Sequence, residues 1–140
     1  MTGRPHRQLD VVAAVAAGGA VGSVLRYGLA QAWPTRPTGF PWATLVTNLA
    51  GCCLIGLLTG VLAARGTPHR LLQPFLGPGL LGGFTTFSTY ALDSRSLLAA
   101  GRGGAAAAYL VGTLLGAVAA VQLGRRVARR LTAEGAGRSP

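Results

Sequence analysis

The chain has 140 residues; half are apolar, 22 are glycine, and the charged residues are 13 arginines and three acids. At 11% charged it falls well below the roughly one quarter of an ordinary soluble domain, and so lacks the polar surface to cover a water-facing fold. The formal charge of +10 does not indicate nucleic-acid binding, because the arginines sit mainly at the ends of apolar stretches rather than along one helix face, as the cytoplasmic-side charge bias of membrane proteins produces.

The first apolar run extends from about Val11 to Trp33. Met1, Arg4 and Arg7 ahead of it mimic a signal peptide, but Arg26 and the lack of a small-residue cleavage site favour a retained span. Gly18, Gly19 and Gly22 leave one of its faces almost bare. Pro34 to Pro41 is a turn-rich loop carrying Arg36, and the second run extends from about Trp42 to Ala64. Its adjacent Cys52 and Cys53 have Cα atoms about 3.8 Å apart, too close for the usual disulfide, and are expected to be small packing residues.

The third run, about Leu71 to Leu92, is uncharged but oddly composed. Gly77, Pro78, Gly79, Gly82 and Gly83 are followed by Thr85, Thr86, Phe87, Ser88, Thr89 and Tyr90. This order predicts a helix broken mid-membrane between Pro78 and Thr85, with its freed backbone buried in protein or lining a watery cavity, since lipid cannot satisfy it. The fourth run extends from about Ala105 to Leu123, with a basic tail over 124–140. A soluble bundle would show a charged stripe at helical spacing, which the second and fourth runs lack. The expectation is one all-α membrane domain with four transmembrane helices, the third of them broken.

With four spans both tails share one side. Arg4, Arg7, Arg65, Arg70, Arg125, Arg126, Arg129, Arg130 and Arg138 lie on that side, nine against the three of the opposite loops, Arg36, Arg95 and Arg102. This bias places both termini in the cytoplasm.

Several residues stand out, each with a plainer structural reading. Arg26 inside the first span either marks a site or snorkels to the interface. Thr44 and Asn48, four apart, share a face and either glue helices or line an ion path as neutral donors. Phe87 and Tyr90 could turn positive ring edges toward an anion or simply pack in the bundle. Tyr109 and Thr113, with Ala117 a turn on, form a weak polar track on the fourth span. Gly18 with Gly22 and Gly112 with Gly116 have the spacing that lets membrane helices approach closely. His6 and His69 fall in a tail and a loop, the acids Asp10, Asp93 and Glu134 are scattered, and no nucleotide loop, zinc cluster or nucleophile–base set occurs. An enzyme is not expected.

Three motifs carry a resemblance. Gly18 through Tyr27, ending in Arg26-Tyr27, Pro41 through Gly51 with Thr44, Leu45 and Asn48, and above all Gly82-Gly83-Phe84-Thr85-Thr86-Phe87-Ser88-Thr89-Tyr90 resemble the small fluoride channels of microbes, the CrcB or Fluc family. The sequence differs from the usual pattern at Ala43, Thr47, Tyr90, Asp93 and Ala117. The resemblance implies an antiparallel dual-topology dimer with two pores, in the cell (inner or plasma) membrane, passing fluoride passively and excluding chloride. It implies that Thr44 and Asn48 lie along the ion path, that Phe87 and Tyr90 contact fluoride, and that Tyr109 and Thr113 form the track. The hydroxyls of Thr86, Ser88 and Thr89 stand beside these rings, and the Arg26 cation at a vestibule mouth would raise the local anion concentration. The carbonyls of Gly82 and Thr85 are implied to help cage a structural sodium ion (Na+) at the dimer interface. An antiparallel homodimer needs nearly balanced loops, so the arginine bias favours a heterodimer of two homologous subunits. An aliphatic residue at Asn48 or Phe87 is expected to abolish flux and leave assembly intact. The rival readings are a proton-coupled four-helix exporter, which normally needs a deep membrane acid, and a non-conducting scaffold.

Overall fold

The structure, a computed structural model, describes residues 5–36, 39–66 and 69–136, and its regular elements are all helical. They are α1 (Pro5–Ala32), α2 (Trp42–Arg65), α3 (Leu72–Pro74), a π-helix (Phe75–Leu81), α4 (Gly82–Phe84), α5 (Phe87–Ala99) and α6 (Gly103–Ala136). Three segments, Arg7–Ala32, Trp42–Arg65 and Gly103–Ala133, are long and apolar enough to cross a membrane by length and composition. The remaining apolar segment is in pieces.

Two boundaries differ from the sequence reading. The basic residues after Leu123 do not form a separate tail, because α6 continues unbroken to Ala136. Arginine, alanine and leucine are all strong helix formers, so nothing in the composition stops the helix. The Gly and Pro cluster, in turn, does not break the third segment. Phe75–Leu81 takes the wider π form around Pro78, which tolerates the proline's missing N–H and gives its ring room beside the preceding turn. Extended backbone comes a few residues later, at Thr85 (ψ 159°) and Thr86 (φ −148°, ψ 127°).

The helices pack as two parallel pairs. α1 lies along the helical run 72–84, with Gly18 near Gly79, Gly22 near Phe84, and Asp10 bridging Arg70 at the starting end. A Cβ on Gly22 would overlap the Leu80 carbonyl and lie 2.8 Å from the Phe84 nitrogen. α2 lies along α6, in register from Leu49 beside Gly116 to Gly60 beside Ala128. A Cβ on Gly56 would overlap the Val121 carbonyl, and one on Gly124 would lie 2.7 Å from the Leu57 nitrogen. These contacts bring backbone against backbone, the close packing that small residues allow between membrane helices. Gly112, by contrast, has nothing within 4 Å of such a Cβ, so only its partner Gly116 serves an interface.

At the far end a small core of Leu97, Ala106 and Tyr109 gathers Phe40, Leu45 and Tyr90. It is closed by the turn between α5 and α6. There Gly101 takes φ 70°, while its N–H bonds the Leu98 carbonyl and that of Arg102 the Leu97 carbonyl. This pairing caps the last carbonyls of α5, and a left-handed residue at that position favours glycine.

Candidate functional site around the interrupted helix

Ending a helix at Phe84 and starting another at Phe87 strands backbone groups that α-helical bonding would otherwise use. The side chains around the gap meet them. Asn48, reaching across from α2, donates from Nδ2 to the Thr86 carbonyl at 2.9 Å and accepts the Thr86 N–H on Oδ1 at 2.8 Å. Both halves of one peptide residue are thus clamped by one amide. Arg26 of α1 donates from Nε to the Gly83 carbonyl at 3.2 Å. Thr86 caps α5, its hydroxyl accepting the Thr89 N–H at 3.2 Å, as threonine does at a helix start. It also lies within hydrogen-bond distance of the hydroxyls of Ser88 (3.2 Å) and Thr89 (3.1 Å). The clustered hydroxyls are therefore first of all a helix cap. Gly51, one turn above Asn48, faces the Thr85 side chain so closely that a Cβ there would overlap it.

A groove of about 330 Å³ opens beside this gap, between α2, α5 and α6. Asn48, Thr85, Thr86, Phe87, Tyr90 and Thr113 line it together with an apolar set that includes Cys52, Ile55 and Leu114. Phe87 and Tyr90 meet at 5.7 Å between centroids and 45° between planes. The Phe87 ring is 80% exposed, while the Tyr90 hydroxyl is committed to the Leu110 carbonyl at 3.1 Å. Thr113 is the unusual member. Thr47, Thr59, Thr85, Ser94, Ser96 and Thr132 all donate to the carbonyl four residues back, the usual outlet for a hydroxyl within a helix. The Thr113 hydroxyl, buried and on the groove, has no hydrogen-bond partner among the described residues.

The remaining candidates stand elsewhere. Tyr109 is fully buried, stacked between Tyr90 (5.3 Å) and Phe40 (5.5 Å, edge-on) with its hydroxyl on Asp93 at 3.4 Å. Thr44 is half-buried on α2 and is not among the residues that line the groove. Arg26 is half-buried at the Gly83 carbonyl, and Gly82 borders a separate apolar groove with Gly77 and Pro78. Cys52 and Cys53 are free thiols. Sequence reasoning passed over Cys52 and Ile55 as groove residues. Their spacing of four and seven from Asn48 was the available signal, since it puts all three on one helix face.

The family model described as CrcB-like protein, Camphor Resistance (CrcB), matches residues 13–125. The chain belongs to the CrcB family. Its relatives include the fluoride-specific ion channel FluC 1 of Streptomyces coelicolor, 51% identical over 89% of this chain and 80% of the relative. A second, FluC 2 of Nocardia farcinica, is 49% identical over 87% of each chain. A third, FluC of Paracoccus denitrificans, is 47% identical over 85% of this chain and 94% of the relative. The matched CrcB region takes in α2, the interruption and the groove-lining part of α6.

Proposed function

We propose that this CrcB-family chain is one subunit of a passive, fluoride-selective channel that releases fluoride from the cytoplasm. The observation that carries the reading is the buried Thr113 hydroxyl, unpartnered among the described residues and carried by a residue that lines the groove with Asn48 and Phe87. An unsatisfied buried donor costs about 1–3 kcal/mol, and a dehydrated anion recovers that cost. With Asn48 turned to the Thr86 backbone, its second Nδ2 hydrogen remains as another neutral donor. Neutral donors and ring edges replace part of an anion's hydration without a fixed charge that would hold it too long. The names of relatives at 47–51% identity supply the ion. No carboxylate lines the groove among the described residues, which weighs against a proton-coupled exporter.

Four crossings result if the run 72–84 and α5 together make the third, with the gap at Thr85 and Thr86 mid-membrane. Both termini then face the cytoplasm of a cell (inner or plasma) membrane. The antiparallel dimer that the resemblance implies is taken as the working unit, and the exposed Phe87 ring supports it by leaving one wall of the groove to a second subunit. The nine-to-three arginine bias favours a heterodimer with a homologous partner biased the opposite way. The donor chemistry at the gap suits a sodium ion: a helix ending at Phe84 frees carbonyls of its last turn, and unwound backbone carbonyls serve sodium in other membrane proteins. Gly82 and Thr85 would hold it through their carbonyls, joined by the matching pair of the homologous subunit. Such an ion would supply a fixed positive charge between the pores. No hydrolysis is needed, because fluoride enters as the neutral weak acid and is trapped as the anion in a less acidic cytoplasm.

Fluoride-electrode efflux from vesicles containing the purified chain, alone and with a co-expressed partner, tests this. Selective fluoride release with no chloride release is expected once the partner is present. Robust release by the chain alone removes the heterodimer requirement, and chloride release at an equal rate removes the selectivity.

A further inference from the structure

The C-terminal turns of α6 outrun the bilayer. Its 34 residues span about 51 Å at 1.5 Å each, against a hydrocarbon core of about 30 Å. Arg125, Arg126, Arg129 and Arg130 fall in the surplus, all exposed, and their spacing spreads them over an arc of roughly 140°. Gly124 and Ala128 turn the other way and are buried, Gly124 beside Cys53 and Ala128 beside Gly60 of α2. Arg65 at the end of α2 donates to the Leu131 carbonyl at 3.4 Å, so the two helices stay together to this point and present the arginines on a firm support. Leu123, Val127 and Leu131 form an exposed apolar row beside Arg126 and Arg130. Among the residues whose side chains are described, the ion pair at this end joins Arg70 to Asp10 and involves none of the four arginines.

We propose that this face docks the headgroups of anionic phospholipids at the cytoplasmic surface of the membrane. Guanidinium groups grip phosphate with two parallel hydrogen bonds. The adjoining apolar row is suited to the acyl boundary, where amphipathic helices bury their apolar side. A soluble nucleic acid would leave that row in water. The site lies outside the ion path and rests on the proposed orientation, in which α6 crosses the bilayer and ends in the cytoplasm.

The test uses the full purified chain in mild detergent, with phosphatidylglycerol and phosphatidylcholine of the same acyl length, and native mass spectrometry to count retained lipid. The wild type is expected to prefer phosphatidylglycerol, and each arginine removed should weaken that preference roughly five-fold. R125Q/R126Q/R129Q/R130Q should abolish it, whereas R36Q/R95Q at the opposite end should keep it. Raising salt should weaken the preference of the wild type itself, a readout independent of whether the quadruple variant folds. Equal retention of the two lipids, a preference unchanged in the quadruple variant, or one insensitive to salt overturns the proposal. So does displacement of the lipid by millimolar inorganic phosphate, or capture of a short DNA duplex in its place.

Discussion

The two helix pairs are built alike and end up doing different things. α2 on α6 and α1 on the 72–84 run are both parallel, and both bring backbones together over glycines. In the first pair both helices are continuous, so every peptide group between their ends is met within its own helix. In the second, one partner stops at Phe84 and restarts at Phe87, and its stranded groups draw on side chains from neighbouring helices. Asn48 comes from α2 and Arg26 from α1. The comparison sorts the polar residues near the gap. Asn48, Arg26, Thr85, Thr86 and Thr89 make hydrogen bonds around the interruption, whereas the Thr113 hydroxyl has no partner among the described residues and the Phe87 ring is exposed, the two features the proposed ion path draws on.

That division can be attacked from both sides. The largest effect belongs to Asn48→Leu, which strands the N–H and the carbonyl of Thr86 at about 1–3 kcal/mol each. Loss of flux should therefore come with a lower melting temperature, so the expectation of intact assembly at this position gives way to one of shared damage. Next is Gly56→Leu, whose side chain would meet the Val121 backbone at a cost of about 1–3 kcal/mol or more. It should show as poor recovery of folded protein by size-exclusion chromatography, although the residue lies off the gap. Phe87→Leu should leave melting unchanged, because the ring is exposed in the subunit, while a lost ring contact worth about 0.5–1.5 kcal/mol lowers flux about two- to tenfold rather than abolishing it. The smallest effect is that of Thr113→Val, which removes a hydroxyl with no partner among the described residues. Stability should hold or rise slightly, and flux should drop a few-fold, in line with a single hydrogen bond of about 0.5–1.5 kcal/mol. A melting loss in the last two variants, or normal melting in the first two, would erase the distinction between scaffold and site.

The apolar helices and the unusual third segment were legible in the sequence because they rest on local composition: long uncharged runs, and glycines beside hydroxyls. The helix bounds were less so. Pro78 reads as a breaker, yet a π turn absorbed it, and the extended residues came at Thr85 and Thr86, where Asn48 supplies what the helix gave up. That partnership spans 38 positions, beyond any periodicity argument. Arginines after an apolar run read equally well as a loose tail or a helix, and only packing on α2 tells them apart. Tyr109 and Thr113 share a face by spacing, but ring stacking buries the first against Asp93 and Phe40 while the second reaches the groove. The free state of the Thr113 hydroxyl was not legible at all, since a threonine in a helix ordinarily bonds the preceding turn.

The most direct measurement is fluoride efflux from vesicles holding the conducting assembly, compared between wild type and Thr113→Val at equal amounts of folded protein. A slower release of fluoride by the variant, with unaltered melting and still no chloride release, is the result this account requires. Identical fluoride rates would contradict it, because the Thr113 hydroxyl of α6 would then play no part in carrying the ion.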